Sequence, residues 1–261
     1  MIRALHTAAT GMTAQESNVN TISNNIANVN TTGFKKARTE FDDLLYETIE
    51  EAGARSSANT EYNVGTQVGS GAKVSATRKM HTQGSPMLTN NPYDLMLNGD
   101  GYFGIVSNSG ELKFTRDGSF NVDSQGNVVT KAGNKLFPGL VVPPNVMSVN
   151  IAENGIVEAF MRGIPEPLNL GQIPVFTFVN PTGLRSEGGN LYGTTNGSGQ
   201  AIQQIAGQNN SATMMQGALE SSNVSVMNEM TDLIKAQRAY EMNSKVMGVA
   251  DQMLQTVNNV R

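Results

Sequence analysis

LHTAATGMTAQESNVNTISNNI, residues 5–26, carries Leu5, Met12, Val19 and Ile26 at intervals of seven. Near the other end, VMNEMTDLIKAQRAYEMNSKVMGVADQML, residues 226–254, carries Val226, Leu233, Tyr240, Met247 and Leu254 at the same interval. An apolar residue at every seventh position is the seam of a helix that packs lengthwise on another helix. Two such seams predict long terminal helices that bury their stripes against each other or against neighbouring molecules.

The N-terminal helix reads from residue 3 to residue 30. Met1, Ala8, Gln15, Ile22 and Val29 complete its seam, while the other faces hold Asn, Ser and Thr. Asparagine is a poor helix former, so this helix depends on packing. Thr31, Thr32 and Gly33 end it, with Gly33 as a left-handed cap. The C-terminal helix reads from about 222 to 258. Its second row (Met230, Gln237, Ser244, Asp251, Asn258) is polar after the first member. That suits a helix with several neighbours better than a private two-stranded zipper.

Between the helices the pattern changes. Residues 34–49 read as either a short helix or an irregular return. Residues 50–92 are small, polar and glycine-spaced, and read as an extended stretch with a long hairpin through Val64, Val68 and Val74. Across 93–180, turn signals such as Ser109-Gly110, Asp117-Gly118, Gln125-Gly126 and Asn154-Gly155 separate short strand-like runs, the mark of an antiparallel module. The expected fold is α+β: long N- and C-terminal helices pair as a coiled-coil-like module, with an antiparallel β domain inserted. The expected divisions are 1–33 with 222–261, a linker or strut over 34–92, and a β-rich domain over 93–221.

Composition narrows the function. Only 38% of residues are hydrophobic and 15% charged, and net charge is −4, which disfavours a nucleic-acid-coating surface. There is no cysteine, hence no disulfide or thiol nucleophile. No run of 18 apolar residues would span a bilayer, and the N-terminus is not a Sec signal peptide. Gly99-Asp100-Gly101-Tyr102-Phe103-Gly104 matches a dinucleotide fingerprint in letters, but a strand-like run follows where a helix is needed. His6 and His81 are the only histidines, too few for a zinc site or triad; His6 is placed on the helix flank and His81 in the loop segment. Asp94, Asp100, Asp117 and Asp123 read as turn residues. No catalytic, cofactor-binding or metal-ligating residues are expected. The helix faces away from the stripes carry Asn, Gln, Ser and Thr where a solvated face would carry Lys and Glu. The candidate functional residues are therefore an assembly seam: Leu5, Met12, Val19, Ile22, Ile26, Val226, Met230, Leu233, Tyr240, Met247 and Leu254.

Three longer motifs add a family likeness. The run Ser23-Asn24-Asn25-Ile26-Ala27-Asn28-Val29-Asn30-Thr31-Thr32-Gly33-Phe34-Lys35 resembles the N-terminal signature of the bacterial flagellar axial proteins of rod and hook. Ser222-Asn223-Val224, then Glu229-Met230 and Leu233 to Lys245, resembles their C-terminal signature. Asp94 to Phe103, with Phe114 to Phe120, resembles their shared β domain; Met96-Leu97 departs from the smaller or β-branched residues usual there. The signature positions are Asn25, Ala27, Asn28, Thr32, Gly33, Phe34, Gln237, Arg238, Ala239 and Tyr240. The likeness is strongest to the distal rod, on length and on the stretch 46–74; the alternatives are a proximal rod protein or a short hook-like axial protein. It implies a non-enzymatic structural subunit without cofactor, exported by the flagellar type III apparatus and polymerising into a helical homopolymer. Its implied place is the basal-body rod in the periplasmic space. Its implied partners are other copies of itself, proximal rod proteins, the hook protein, and the ring proteins of the peptidoglycan and outer-membrane bushing; nucleic acid and direct membrane insertion are not implied.

Overall fold

The computed structural model describes residues 2–51, 53, 55–57, 60–61, 63–162, 166–208 and 211–259. The chain forms two compact units: Met1–Ala27 with Ala37–Lys79 and Ser225–Arg261, and Asn28–Lys36 with Met80–Val224. The architecture is α+β, with a helix at each terminus and a central β region. The strand pairs of residues 37–79 group with the helices in the first unit.

In the first unit, α1 (Ile2–Ala27) packs on α2 (Val226–Asn259). Asn25 meets Glu229, and Gly11 faces Asn243 so closely that a Cβ on Gly11 would stand 2.8 Å from the Asn243 amide nitrogen. Equal steps in opposite directions along the two chains make the pair antiparallel. α1 stops at Ala27, three residues short of expectation. Asn28 ends it by closing a turn: its carbonyl accepts the Thr31 N–H and its side chain accepts the Thr31 hydroxyl, the local competition that makes asparagine a helix terminator.

Residues 37–79 make one long hairpin of nested antiparallel ladders. β1 (Ala37–Asp43) pairs with β6 (Ala72–Lys79), β2 (Tyr46–Glu50) with β5 (Thr66–Gly69), and β3 (Arg55–Ser57) with β4 (Thr60–Glu61). Neither the short helix nor the irregular return expected at 34–49 forms, because Phe41, Tyr46, Thr48 and Ile49 give that run the β-branched and aromatic character of strands. Ala52, Ala54, Ala58, Asn59 and Tyr62 of the expected extended stretch lie outside the described residues. The root of the hairpin packs on α1, where the Thr39 hydroxyl donates to Thr21 at 2.9 Å. Gly71 makes the approach possible, since any Cβ there would strike the Thr10 side chain.

The second unit is antiparallel β. Its strands are β7 (Pro86–Leu88), β8 (Leu95–Asn98), β9 (Tyr102–Val106), β10 (Leu112–Thr115), β11 (Phe120–Val122), β12 (Val128–Thr130), β13 (Lys135–Leu136), β14 (Val146–Ile151), β15 (Ile156–Met161), β16 (Leu168–Gln172), β17 (Val175–Thr177), β18 (Arg185–Gly188), β19 (Leu191–Gly193), β20 (Ile202–Gln204), β21 (Thr213–Gln216) and β22 (Ala218–Glu220). The main sheet runs β11-β12-β13-β9-β10-β19-β18, with β17 bridging β9 and β20. β9 exchanges partners along its length: Tyr102 and Phe103 face β17, while Ile105 and Val106 face β13. A three-stranded sheet, β14-β15-β16, lies apart from it. Leu97, Phe103, Ile105, Phe120, Leu136, Val157 and Val175 form the main core. Tyr102, Phe114, Phe176, Leu184 and Tyr192 form a second, aromatic one.

Gly33 tests how tightly this unit is built. It is left-handed (φ 67°), but it lies beyond the helix instead of capping it. A Cβ there would meet Asp117 N at 2.6 Å and Arg116 C at 2.7 Å. Gly110 is also left-handed (φ 83°), but a Cβ on it would have nothing within 4 Å. Gly110→Ala should therefore cost only about 1–2 kcal/mol, the left-handed penalty. Gly33→Ala adds a backbone clash and should cost roughly 3 kcal/mol or more. Urea unfolding of the two variants side by side checks the ordering; equal costs would contradict it.

Candidate assembly surfaces and buried polar hubs

Among the described residues, few are fully buried along the helix pair: Ala8, Ala14, Ile22 and Asn25 from α1, and Glu229, Ala236 and Ala250 from α2. Leu5, Met12, Val19 and Ile26 are half-buried, as are Leu233, Met247 and Leu254. The second row of α2 that turns inward is Glu229, Ala236, Asn243 and Ala250. The row expected there is exposed from Met230 to Asp251, and Val226 and Tyr240 are exposed as well. The choice between rows follows from size. Small Ala, Gly and Asn side chains let two helices approach closely, as Gly11 does against Asn243, and the bulkier Met230 and Gln237 are turned out.

The outward side of α2 therefore also carries large apolar side chains. Met227 is 77% exposed, Met230 51%, Ile234 55% and Met242 62%, and Val246, Val249 and Met253 continue the series. These exposed apolar side chains alternate with charged ones such as Lys235, Arg238 and Glu241, a mixed surface of the kind that can meet a partner helix. The hairpin repeats the pattern, with Leu45 at 88% and Tyr46, Ile49 and Val64 also exposed.

Polar contacts fix the first unit where apolar area is scarce. The Asn25 amide donates to Glu229 Oε2 at 3.0 Å and to the Ala37 carbonyl at 2.8 Å, while its oxygen accepts the Ala37 N–H at 2.9 Å. One asparagine thus holds α1, β1 and α2 together. Of the other signature positions, Ala27 is exposed, Asn28 closes the turn and Phe34 is buried. Thr32 donates to Asp117 at 2.8 Å. Arg238 pairs with Glu241 on the surface at 2.7 Å, Gln237 and Tyr240 are exposed, and Ala239 is half-buried.

The second unit has its own hub. Glu220 and Lys35 are each 1% exposed and Arg116 is 3% exposed. Lys35 Nζ lies 2.5 Å from Glu220 Oε1, and Arg116 Nη1 lies 3.4 Å from Oε2. Lys35 also donates to the Thr82 carbonyl (2.7 Å), and Arg116 Nη2 donates to the Gly99 carbonyl (2.7 Å). Arg116 stands over the Tyr102 ring, 5.3 Å from its centre. Burial pushes the Lys35 ammonium below its ordinary pKa, opposed by the Glu220 charge and hydrogen bond. Burial also raises Tyr192, to about 12. Lys35 and Arg116 stand inside the recognised motifs, but no periodicity marks them as a pair. Glu220, between two strand-like runs and the helix, has no signal in a single sequence.

The remaining motifs are absorbed by packing. After Gly99 and Gly101 comes strand β9, and a Cβ on Gly101 or Gly104 would strike Val175 or the Phe176 ring. His81 Nδ1 is 2.7 Å from the Tyr102 hydroxyl, with its ring edge-on to Tyr102 and Tyr192. The Asp123 carboxylate is engaged by its own turn, where hydrogen bonding from Asn127 comes first in holding its pKa down. Among the described residues no three metal-ligating side chains converge, and no helix is long and apolar enough to cross a membrane.

Comparison with known proteins gives one consistent likeness. Residues 5–35 match the family model described as flagella basal body rod protein. Residues 96–159 match the flagellar hook protein FlgE/F/G D1 domain, and residues 215–260 match the flagellar basal body rod FlgEFG protein C-terminal model. The flagellar basal-body rod protein FlgG of Borreliella burgdorferi is 47% identical, over 100% of this chain and 99% of its own. That of Caulobacter vibrioides is 46% identical over the full length of both. A solved flagellar hook protein, FlgE2 of Helicobacter pylori, is 14% identical with a TM-score of 0.25, covering 71% of this chain and 43% of that one, a likeness too slight to carry a structural conclusion.

The hub has a measurable signature. Glu220→Gln leaves two buried cations facing each other and should destabilise the fold by about 3–5 kcal/mol, the usual cost of breaking a buried pair from one side. Adding Lys35→Met removes one of those cations and should recover a large part of the loss. A double-mutant cycle by urea unfolding reads the coupling; strict additivity would show that the three charges act independently.

Proposed function

We propose, since this chain belongs to the FlgG family of flagellar basal-body rod proteins, that it is a structural subunit of the distal rod, polymerising into the tubular shaft that carries torque from motor to hook. It is a structural protein, not an enzyme. The observation that carries the reading is the whole-length identity to FlgG relatives, which does not favour a proximal rod protein or a short hook-like protein.

In this reading α1 and α2 pair as a coiled-coil-like module and line the inner layer of the tube. The outward stripe of α2, from Met227 to Met253, docks on the helices of the next copy, and a contact of this heterologous kind that does not close on itself generates a helix of subunits. Burying a stripe of Met and Ile is favourable at about 25 cal/mol per Å², and methionine adapts to an imperfectly matched partner. The residues of the expected seam then fall into two groups. Leu5, Met12, Val19, Ile22, Ile26, Leu233, Met247 and Leu254 serve the pair within one chain, while Val226, Met230 and Tyr240 serve the contact between chains. The hairpin of residues 37–79 is a strut with its apolar side chains on neighbouring copies, and the β unit forms an outer layer. The partners are proximal rod proteins below, the hook protein above, and the ring proteins of the peptidoglycan and outer-membrane bushing around it. The chain reaches the periplasm through the flagellar type III apparatus.

Met230→Asp and Ile234→Asp place charge on the outward stripe only. The soluble chain should keep its unfolding midpoint, since surface substitutions shift stability by about 0.5 kcal/mol or less. Filament formation, followed by sedimentation and electron microscopy, should be abolished. Normal filaments from either variant would sink the docking role of α2.

A further inference from the structure

Asn223 belongs to neither helix, yet its side chain is fully engaged. Its Oδ1 accepts the Lys36 N–H at 2.7 Å. Its Nδ2 donates to the Met80 carbonyl at 2.8 Å and reaches the carbonyl and hydroxyl oxygens of Thr82 at 3.1 and 2.9 Å. The Asn223 N–H donates to the Phe34 carbonyl at 3.4 Å, and the Met80 N–H donates to the Lys36 carbonyl at 2.8 Å. Three residues earlier, Glu220 takes the Lys35 ammonium and the Gly84 N–H on one oxygen, and its carbonyl accepts the Gly33 N–H. Segments 33–36, 80–85 and 220–224 are thereby laced together inside the β unit.

These are the segments by which the chain leaves that unit, at 36/37, 79/80 and 224/225. Of the four places where the chain passes from one unit to the other, three are gathered by one asparagine side chain. Beyond the first of them Asn25 holds Ala37 by both its N–H and its carbonyl, so Lys36 and Ala37 are each gripped by an asparagine amide. A lone extended strand turns freely at each φ and ψ. Strands bonded sideways must bend together, and the amide group suits the task because it offers an acceptor and two donors in one plane.

We propose that Asn223 is a positioning residue for torque transmission: it binds three covalent links into one knot, so that load entering by one is shared by all three. The proposal rests on the rod reading for its mechanical half, and on the hydrogen-bond geometry alone for the knot itself.

The test uses the full-length chain with Asn223→Ala, Asn223→Asp and, as a control of similar cost to stability, the core substitution Phe103→Leu. Amide exchange on soluble chain is expected to quicken roughly 10-fold at Lys36 in Asn223→Ala, where the N–H loses its acceptor, the range for loss of one hydrogen bond, with the amides of β9 unchanged. Assembled filaments of that variant are expected to form but to bend more, their persistence length falling about twofold or more, while Phe103→Leu filaments keep wild-type stiffness. Unchanged exchange overturns the knot. Faster exchange with undiminished stiffness, or equal softening by Phe103→Leu, overturns load sharing. If Asn223→Ala does not fold, Asn223→Asp decides: it keeps the acceptor for Lys36 and loses both donors, and filaments as stiff as wild type refute the role. A wild-type chain that never forms filaments would defeat the rod reading while leaving the exchange result to judge the knot.

Discussion

The carboxylate of Glu220, buried between Lys35 and Arg116, is the constraint on which the β unit turns. The Arg116 guanidinium is buried, so an anion must lie beside it. Taking such charges out of water costs several kcal/mol each and is repaid only when nearly every donor finds an acceptor. The surrounding backbone supplies those acceptors: Thr82 for Lys35, and Leu97 and Gly99 for Arg116. Segments that are remote in sequence are thus obliged to present carbonyls at one point. Gly84 and Gly118 belong to the same arrangement, since a Cβ on either would strike the carbonyl oxygen of Ser221 or Leu95. The balance is not complete, because Arg116 Nε has no hydrogen-bond partner among the described residues. A triad of this kind specifies one arrangement of three segments more than it adds stability.

The helix pair solves a different problem. Its buried contacts are mainly Ala8, Ala14, Ala236 and Ala250, with Ile22 the one large apolar side chain among the fully buried residues described there. Alanine buries little apolar area, so the pair gains less from the hydrophobic effect than its length suggests. The Asn25–Glu229 contact adds specificity at one end, and Gly11 against Asn243 adds closeness further along. Met227, Met230, Ile234 and Met242 of α2 are meanwhile exposed. A chain with only 38% hydrophobic residues that leaves such side chains exposed is stabilised further when another surface covers them.

The sequence made some of this legible and hid the rest for identifiable reasons. Seven-residue spacing located both helices, and Gly-containing turn pairs located the β region, because both signals are local. The inward row of α2 escapes a reading by periodicity because it opens on Glu229 and includes Asn243, which look like surface residues. Packing preferred the small and hydrogen-bonded row, a choice that depends on the facing helix. The strands at 37–50 were obscured because Glu40, Asp42, Asp43 and Glu47 interrupt the apolar alternation; in a two-stranded ribbon with one face open, the ladder survives without it. Lys35, Arg116 and Glu220 could not be joined by inspection, since only the fold brings them together.

The signature motifs acquire a physical reading from these hubs. Asn25 and Glu229 come one from each terminal motif, and so do Lys35 and Asn223. Within each unit an amide and a carboxylate act together on neighbouring groups: Asn25 with Glu229 in the first, Asn223 with Glu220 in the second. Asparagine is a costly residue in a helix, and α1 carries four of them, Asn18, Asn20, Asn24 and Asn25, in its last three turns. Asn25 justifies its place by holding Ala37 through both backbone groups, a task that neither alanine nor leucine could perform. The motifs therefore mark where each helix joins the rest of the chain, and the seven-residue rows beside them mark what each helix has left to offer a neighbour.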